Sequence, residues 1–336
     1  MAPKWNASRR ARTAPGVACA IAVFILSLVL AVPAAAQPAR AQTGSAITSA
    51  NWSGEVETGN GASFTGVSGH WTVPAVETTW GLTVTVTWVG IGTVGQKKLV
   101  QTGTYEWSED GHTGYEAFYE TSDAGSFTFF PEPVSPGDQV VGSVTETSPG
   151  HWLLRLTDTT RRSTTQVVLT YTAASAGDAE WITERPSFDA LPGALAAYGA
   201  TRFTHLAAQG SNLSHAALSP VTMDVTGWVM SRPENVSAHT GRTFTNVFTP
   251  PPPTVTGVAP DGTSGCWTQC GSTVRVVGQW FYGVEAVRFG NEPAQVLSVT
   301  ETTLTVRAPP GAATQQVTVV TRSGTSKKTA TSLYWI

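Results

Sequence analysis

One pattern limits what this chain can fold into: apolar and polar residues alternate with a period of two through short segments, and turn residues end each segment before a helix can develop. In Gly81–Gly92, GLTVTVTWVGIG, Leu82, Val84, Val86 and Trp88 fall on one side and the threonines on the other. SFTFF, DQVVGSVTET, WLLRLTDTT and TTQVVLTYT repeat the pattern between Gly, Pro, Ser and Asp turns. Only Ala190–Phe203, ALPGALAAYGATRF, has a helical look, and Pro192, Gly193 and Gly199 shorten it. No repeat is apparent. A strand–turn–strand chain buries its sheet faces only against another sheet, which predicts an all-β fold built as an antiparallel β-sandwich.

The length of 336 residues suits two domains. Four consecutive prolines, Pro250–Pro253, form a linker that favours extended polyproline and divides the chain. Residues 46–249 are expected to form the larger sandwich. Residues 254–336, with STVRVVGQWF, VEAVRFG, TLTVRAPP and QQVTVVTRSG, read as a small Ig-like one. The N-terminus reads as an export signal: Lys4, Arg9, Arg10 and Arg12 precede the apolar run Val17–Val32, and AAAQ (Ala34–Gln37) follows as a small-residue cleavage site. That run of 16 residues is short for a membrane span. Residues 1–36 are therefore read as a signal peptide that leaves no stable membrane anchor, and the protein as secreted.

Loss of the signal removes four basic residues and leaves 16 Lys+Arg against 23 Asp+Glu, a net charge of −7. Without a basic patch no nucleic-acid partner is expected. Of three cysteines, Cys19 leaves with the signal; Cys266 and Cys270, in SGCWTQCGS, are spaced for a local disulfide closing a loop in an exported chain. No metal or organic cofactor is implied, because a zinc site would need two further ligands and no histidine lies near.

Most standard catalytic constellations are absent. There is no G-x-S-x-G elbow and no H-E-x-x-H, and neither D-T-G nor D-S-G announces an aspartic dyad; LVQTGTYEW carries a glutamine, Gln101, instead. Carboxylates do cluster. AEWITE puts Glu180, Ile182 and Glu184 on one strand face, and GYEAFYE does the same for Glu116, Phe118 and Glu120. Alternation cannot separate Glu180 from Glu184. Glu116 and Glu120 read either as solvated edge-strand charge or as a pair like that of jelly-roll glucanases, although those enzymes usually place an Asp where this chain has Phe118.

ANWSGEV (Ala50–Val56), VSGHWTVP (Val67–Pro74), TWVGIG (Thr87–Gly92), LVQTGTYEW (Leu99–Trp107), YEAFYE (Tyr115–Glu120), VSPGDQV (Val134–Val140) and AEWITE (Ala179–Glu184) occur in the order and rough spacing of the glutamic peptidases, the eqolisins, which the chain resembles over some 140 residues. The resemblance implies a lectin/glucanase-like β-sandwich and an acid-active, pepstatin-insensitive endopeptidase acting on protein or peptide substrates. It implies Gln101 and Glu184 as the catalytic pair, with Glu180 supporting or structural. A carboxylate base and an amide that both accepts and donates without titrating suit hydrolysis of a peptide bond by a bound water. Glu116 and Glu120 would raise the pKa of Glu184 if close to it. Trp52 and Trp88 lie in family motifs and either line the cleft or fill the core. The chain departs from fungal members, which often carry Asp where it has Gly in GIG and Asp where it has Tyr105.

The C-terminal part resembles an IPT/TIG domain through PTVTGVAPDG, GSTVRVVGQWF, VEAVRFGNEPAQV and TLTVRAPPG. A surface or polysaccharide ligand, or a passive spacer role, is open for it. The rival reading of the whole chain is a secreted glycan-binding or glycan-cleaving sandwich using Glu116 and Glu120, or a non-catalytic adhesin on the same fold.

Overall fold

The computed structural model describes residues 45–59, 63–96, 98–188, 191–192, 194–211, 218–237, 242–260, 273–309, 315–327 and 333–334. The expected signal peptide (1–36) and Cys266 and Cys270 lie outside them. All regular elements among these residues are strands.

In the larger domain one hydrogen-bonded path folds over into two layers. Ser163–Thr170, His151–Asp158, Gln139–Ser148, Ser63–Thr72, Ala200–Ser211 and Thr243–Phe248 form one layer. Trp228–Ser237, Leu218–Val225, Trp52–Thr58, Asp178–Glu184, Thr83–Gly92, Val100–Glu109, His112–Thr121 and Thr128–Pro133 form the other. The principal strand pairings are antiparallel, as short turns require. Between the layers Trp71, Trp152 and Trp181 interdigitate with Phe64, Val89, Leu154 and Phe203. Their indole N–H groups are satisfied by Thr104 Oγ1, the Tyr171 carbonyl and the Ser68 carbonyl, as buried tryptophans require.

The segment with a helical look forms no helix among its described residues. Ala194–Leu195 adds a short parallel strand to Thr83–Val84, and Ala200 opens the next long strand. Burial of Leu195–Tyr198 against the neighbouring domain overrides the local propensity of its alanines and leucines.

Thr254–Pro260, Thr273–Gln279, Thr303–Arg307, Glu292–Val299, Val284–Phe289 and Gln315–Thr321 make the C-terminal sandwich, around Val274, Val276, Phe289, Leu304, Val306 and Val319. It is docked on the larger domain. The backbone N–H groups of Trp80 and Gly81 donate to the Val299 carbonyl at 3.1 and 3.4 Å. Trp280 and Tyr282 join Val76, Leu195, Tyr198, Met223 and Met230 in one buried cluster. Pro251 and Pro253 of the linker are themselves buried.

Candidate active site

Five adjacent strands frame the clustered carboxylates. Asp178–Glu184 pairs with Trp52–Thr58 on one side and Thr83–Gly92 on the other, and Val100–Glu109 and His112–Thr121 follow. Directly opposed residues share a face, so the register defines two cross-strand rows. One is Trp52–Glu184–Val86–Tyr105–Glu116; the other is Val56–Glu180–Gly90–Gln101–Glu120. The alternate residues Ala179, Trp181, Val89 and Ile91 point into the inter-layer core, so both rows lie on the sheet's other face.

Glu184 ends its strand, with the ladders on both sides stopping at it. The side chain is partly buried. Its Oε2 accepts from the Trp88 indole N–H at 2.9 Å and its Oε1 from the Asn51 amide at 3.2 Å. Burial pushes its pKa up to about 7, helped by the charge of Glu120 and opposed by the donors of Trp88, Trp52 and Asn51. The Trp52 indole makes no hydrogen bond of good geometry but sits edge-on to Trp88 at 5.2 Å and still favours the charged form.

Gln101 is buried, at 4% exposure. One amide N–H donates to Glu120 Oε2 at 2.6 Å, while its carbonyl Oε1 has no partner. A buried acceptor without a donor costs about 1–3 kcal/mol, so this oxygen is a place for a water or a substrate N–H. Glu120 is raised by burial, with the Gln101 bond opposing. In a flat sheet Glu184 and Glu120 would stand about 20 Å apart, too far to matter to each other. Glu120 is nevertheless among the groups whose charge raises Glu184.

Trp88 lies between the two rows, and glycines make room for it. A Cβ on Gly103 would fall 2.1 Å from the Thr87 carbonyl oxygen, and one on Gly90 would fall 2.9 Å from the Trp88 ring. Trp88 is fully buried and Trp52 partly so; both belong to the apolar floor with Val86, Phe118 and Ile182, and both face Glu184. The two roles open from sequence are thus combined. Tyr105 stacks edge-on against Phe127 and Phe129 at 5.3 and 5.2 Å and walls one side.

The remaining carboxylates divide. Glu180 is completely buried with neither oxygen hydrogen-bonded, and burial, then Asp178 and Glu184, hold its pKa well above the usual range. It is a protonated neighbour rather than a second base. Glu116 stands opposite Tyr105, whose pKa it raises after burial has done so, and it is not among the groups acting on Glu184. Of the two glutamates expected to tune Glu184, only Glu120 does. Glu116 and Glu120 are not brought together as a pair: Phe118 separates them along the strand, and Glu120 is committed to Gln101. Among the described residues no group of three or more His, Cys, Asp or Glu is placed to hold a metal. Sequence reasoning missed Asn51 and Phe127. Asn51 directly precedes Trp52 in ANWSGEV, and its place in that motif was the available signal.

Residues 50–254 match the Peptidase A4 family, and residues 253–334 match the IPT/TIG domain. Aspergillopepsin-2 of Aspergillus niger is 30% identical over 204 residues, 53% of this chain and 70% of that protein. The crystal structure of scytalido-glutamic peptidase with a transition state analog inhibitor shares the fold, with a TM-score of 0.52 at 22% identity over 59% of this chain and 98% of that one. With its sandwich fold and most of its larger domain matched, this chain belongs to the Peptidase A4 family and is a glutamic, or eqolisin-type, endopeptidase with an IPT/TIG domain at its C-terminal end.

Proposed function

We propose that the protein is a secreted, acid-active, pepstatin-insensitive endopeptidase in which Glu184 is the general base and Gln101 the oxyanion stabiliser. The observation that carries this is the unpartnered, buried Gln101 Oε1 on the same sheet face as a carboxylate held by Trp88 and Asn51. A water accepted into this space donates to Gln101 Oε1 and to Glu184. Glu184 takes the proton as the water oxygen attacks the carbonyl carbon, and the second N–H of Gln101 donates to the oxyanion. Collapse of the tetrahedral intermediate breaks the C–N bond, and Glu184 returns the proton to the departing amine.

The coupling of Glu184 to Glu120 supports activity below neutrality. The charge of Glu120 raises the pKa of Glu184, second to burial, so this repulsion lasts only while Glu120 is ionised. A proton on Glu120 removes that repulsion and lets Glu184 ionise more readily. Glu120 remains an acceptor for Gln101 in either state. Pepstatin insensitivity follows from the lack of an aspartic dyad to imitate, and export from the N-terminal signal; N-terminal sequencing of protein recovered from culture medium checks the latter.

Peptide release from a denatured protein substrate between pH 2 and 7, with pepstatin present, tests the reading. Wild type is expected to cleave, and Glu184→Gln and Gln101→Ala are expected to be inactive while folded. Retained cleavage by Glu184→Gln would remove Glu184 as the base.

A further inference from the structure

Two chains of contact run from the C-terminal domain to the residues on either side of Glu184. The first reaches Arg185, the next residue. Its guanidinium lies 3.9 Å from Glu301 Oε2, with the two side chains only 13% and 16% exposed. The Arg185 backbone N–H donates to the Asn51 carbonyl at 2.7 Å, and the Asn51 amide in turn donates to Glu184. Glu301 is anchored within its own domain, its carbonyl accepting from Phe281 N–H at 3.1 Å, and the Tyr282 phenol lies in the field of both Glu301 and Arg185.

The second chain reaches Thr183, the preceding residue. Tyr282 meets Phe248 edge-on at 5.2 Å, and Phe248 lies 5.5 Å from Tyr198. The Tyr198 hydroxyl bonds Ser231, Ser231 donates to Ser53 Oγ at 2.8 Å, Ser53 donates to Asn246 Oδ1 at 3.1 Å, and the Asn246 amide donates to Thr183 Oγ1 at 3.0 Å. Every polar link of this chain is buried. A tethered spacer would need neither route. A strand whose ladders stop at its functional residue frays unless its end is held, and both routes hold this end.

We propose that the C-terminal domain is a positioning element of the active site, in which Glu301 acts through Arg185, and Tyr282 through the buried chain, to fix the end of the Asp178–Glu184 strand and hence the Glu184 carboxylate. The inference rests on Glu184 being the base. Its consequence is kinetic: substrate binds over a broad face, but turnover needs the base within hydrogen-bond reach of one water.

The test uses the full chain. Glu301→Gln is expected to lower kcat about tenfold with KM within about twofold. Glu301→Asp recovers part of the loss, and Glu234→Gln, at the exposed Arg232–Glu234 pair, changes neither constant. A readout independent of turnover is the 15N indole resonance of Trp88, whose N–H is bonded to Glu184; Glu301→Gln should shift it and Glu234→Gln should not. If Glu301→Gln unfolds, Tyr282→Leu, which removes the ring that meets Phe248, replaces it with the same expected direction. Unchanged kcat together with an unmoved Trp88 resonance, in a variant as stable as wild type, overturns the proposal. Activity persisting in Glu184→Gln overturns the base assignment instead, and the indole resonance still decides whether the domain reaches the site.

Discussion

Between the two layers of the large sandwich lie carboxylates that the small sandwich does without. Glu55 and Glu106 are completely buried on the inter-layer face, and Glu180 on the face that carries Glu184, whereas the described buried polar residues of the C-terminal domain are Thr318, Thr321 and Ser326. Both domains alternate apolar and polar residues along their strands, so the difference is not one of strand chemistry. Among its described residues the small domain shows that an alternating sandwich closes around Val, Leu, Phe and Ala without a buried carboxylate. The large one tolerates buried acids because they can hold protons. Burial is the main cause raising Glu55, to about 8 despite the nearby Arg242, and it raises Glu106 and Glu180 well above the usual range.

The largest expected effect follows from that contrast. Each of these carboxyls has a higher pKa folded than unfolded, so the folded chain keeps protons that the unfolded chain releases. Their contribution to stability is complete below the unfolded value, 4.5, and is lost as pH rises toward the folded value, near 8 for Glu55. Glu55 alone corresponds to about 5 kcal/mol over that range. Calorimetry from pH 4 to pH 8 should therefore show the transition of the large domain falling steeply. Glu55→Gln should remove part of the slope, stabilising at pH 8 and leaving pH 4 unchanged. A flat profile would mean that these groups are hydrated in solution, and the contrast between the domains would be lost.

How much of this was legible in the sequence depends on which face a residue joins. The alternation in TVTVTW predicted strands and a sandwich, and the motifs singled out Gln101 and Glu184. They did so by resemblance, since alternation treats Glu180 and Glu184 alike. What separates the two is tertiary: Glu184 finds Trp88 and Asn51, while Glu180 finds no donor. In WSGEVET, Glu55 and Glu57 alternate with Val56, and alternation alone does not say which of the two faces is covered. That strand is central and its opposite face is also covered, so Glu57 meets Arg242 from the other layer and Glu55 is sealed beside it. Position within a layer is a long-range property that no local window carries. The same holds for Ala194–Leu195, drawn into a strand by the edge it meets.

A second contrast is functional: the large sandwich carries the proposed chemistry and Glu301 of the small one only positions it, so the larger kinetic losses should come from the large sandwich. Glu184→Gln removes the proposed proton acceptor while keeping shape and donors, and kcat should fall about a thousandfold or more. Gln101→Ala removes the proposed oxyanion donor and should cost about 3 kcal/mol of transition-state stabilisation. A smaller effect than this in both would move the chemistry off this face of the sheet.

Next in size is the packing of the small domain. Leu304 is fully buried among Val274, Val276 and Phe289. Leu304→Ala should destabilise that domain by about 3 kcal/mol, within the usual span for emptying a core leucine, and by the same amount at pH 4 and pH 8. A pH-dependent loss would mean that the small domain borrows stability from the acids of the large one through the interface, which would sharpen the coupling between them.

The smallest expected effect isolates one hydrogen bond. Trp88→Phe keeps an aromatic ring between Gly90 and Gly103 but deletes the N–H that bonds Glu184 Oε2 at 2.9 Å. That bond favours the charged form, so its loss should raise the pKa of Glu184 further. A bond to a charged group is worth about 1.5 kcal/mol, which corresponds to about one pH unit. The acid limb of kcat/KM should therefore move to higher pH by up to that amount, with the plateau above it little changed. A limb that stays in place would show that the limiting ionisation belongs to Glu120 rather than Glu184. The contrast between a site that controls its carboxylate with donors and a core that controls its carboxyls with burial would then have to be drawn around Glu120 and Gln101.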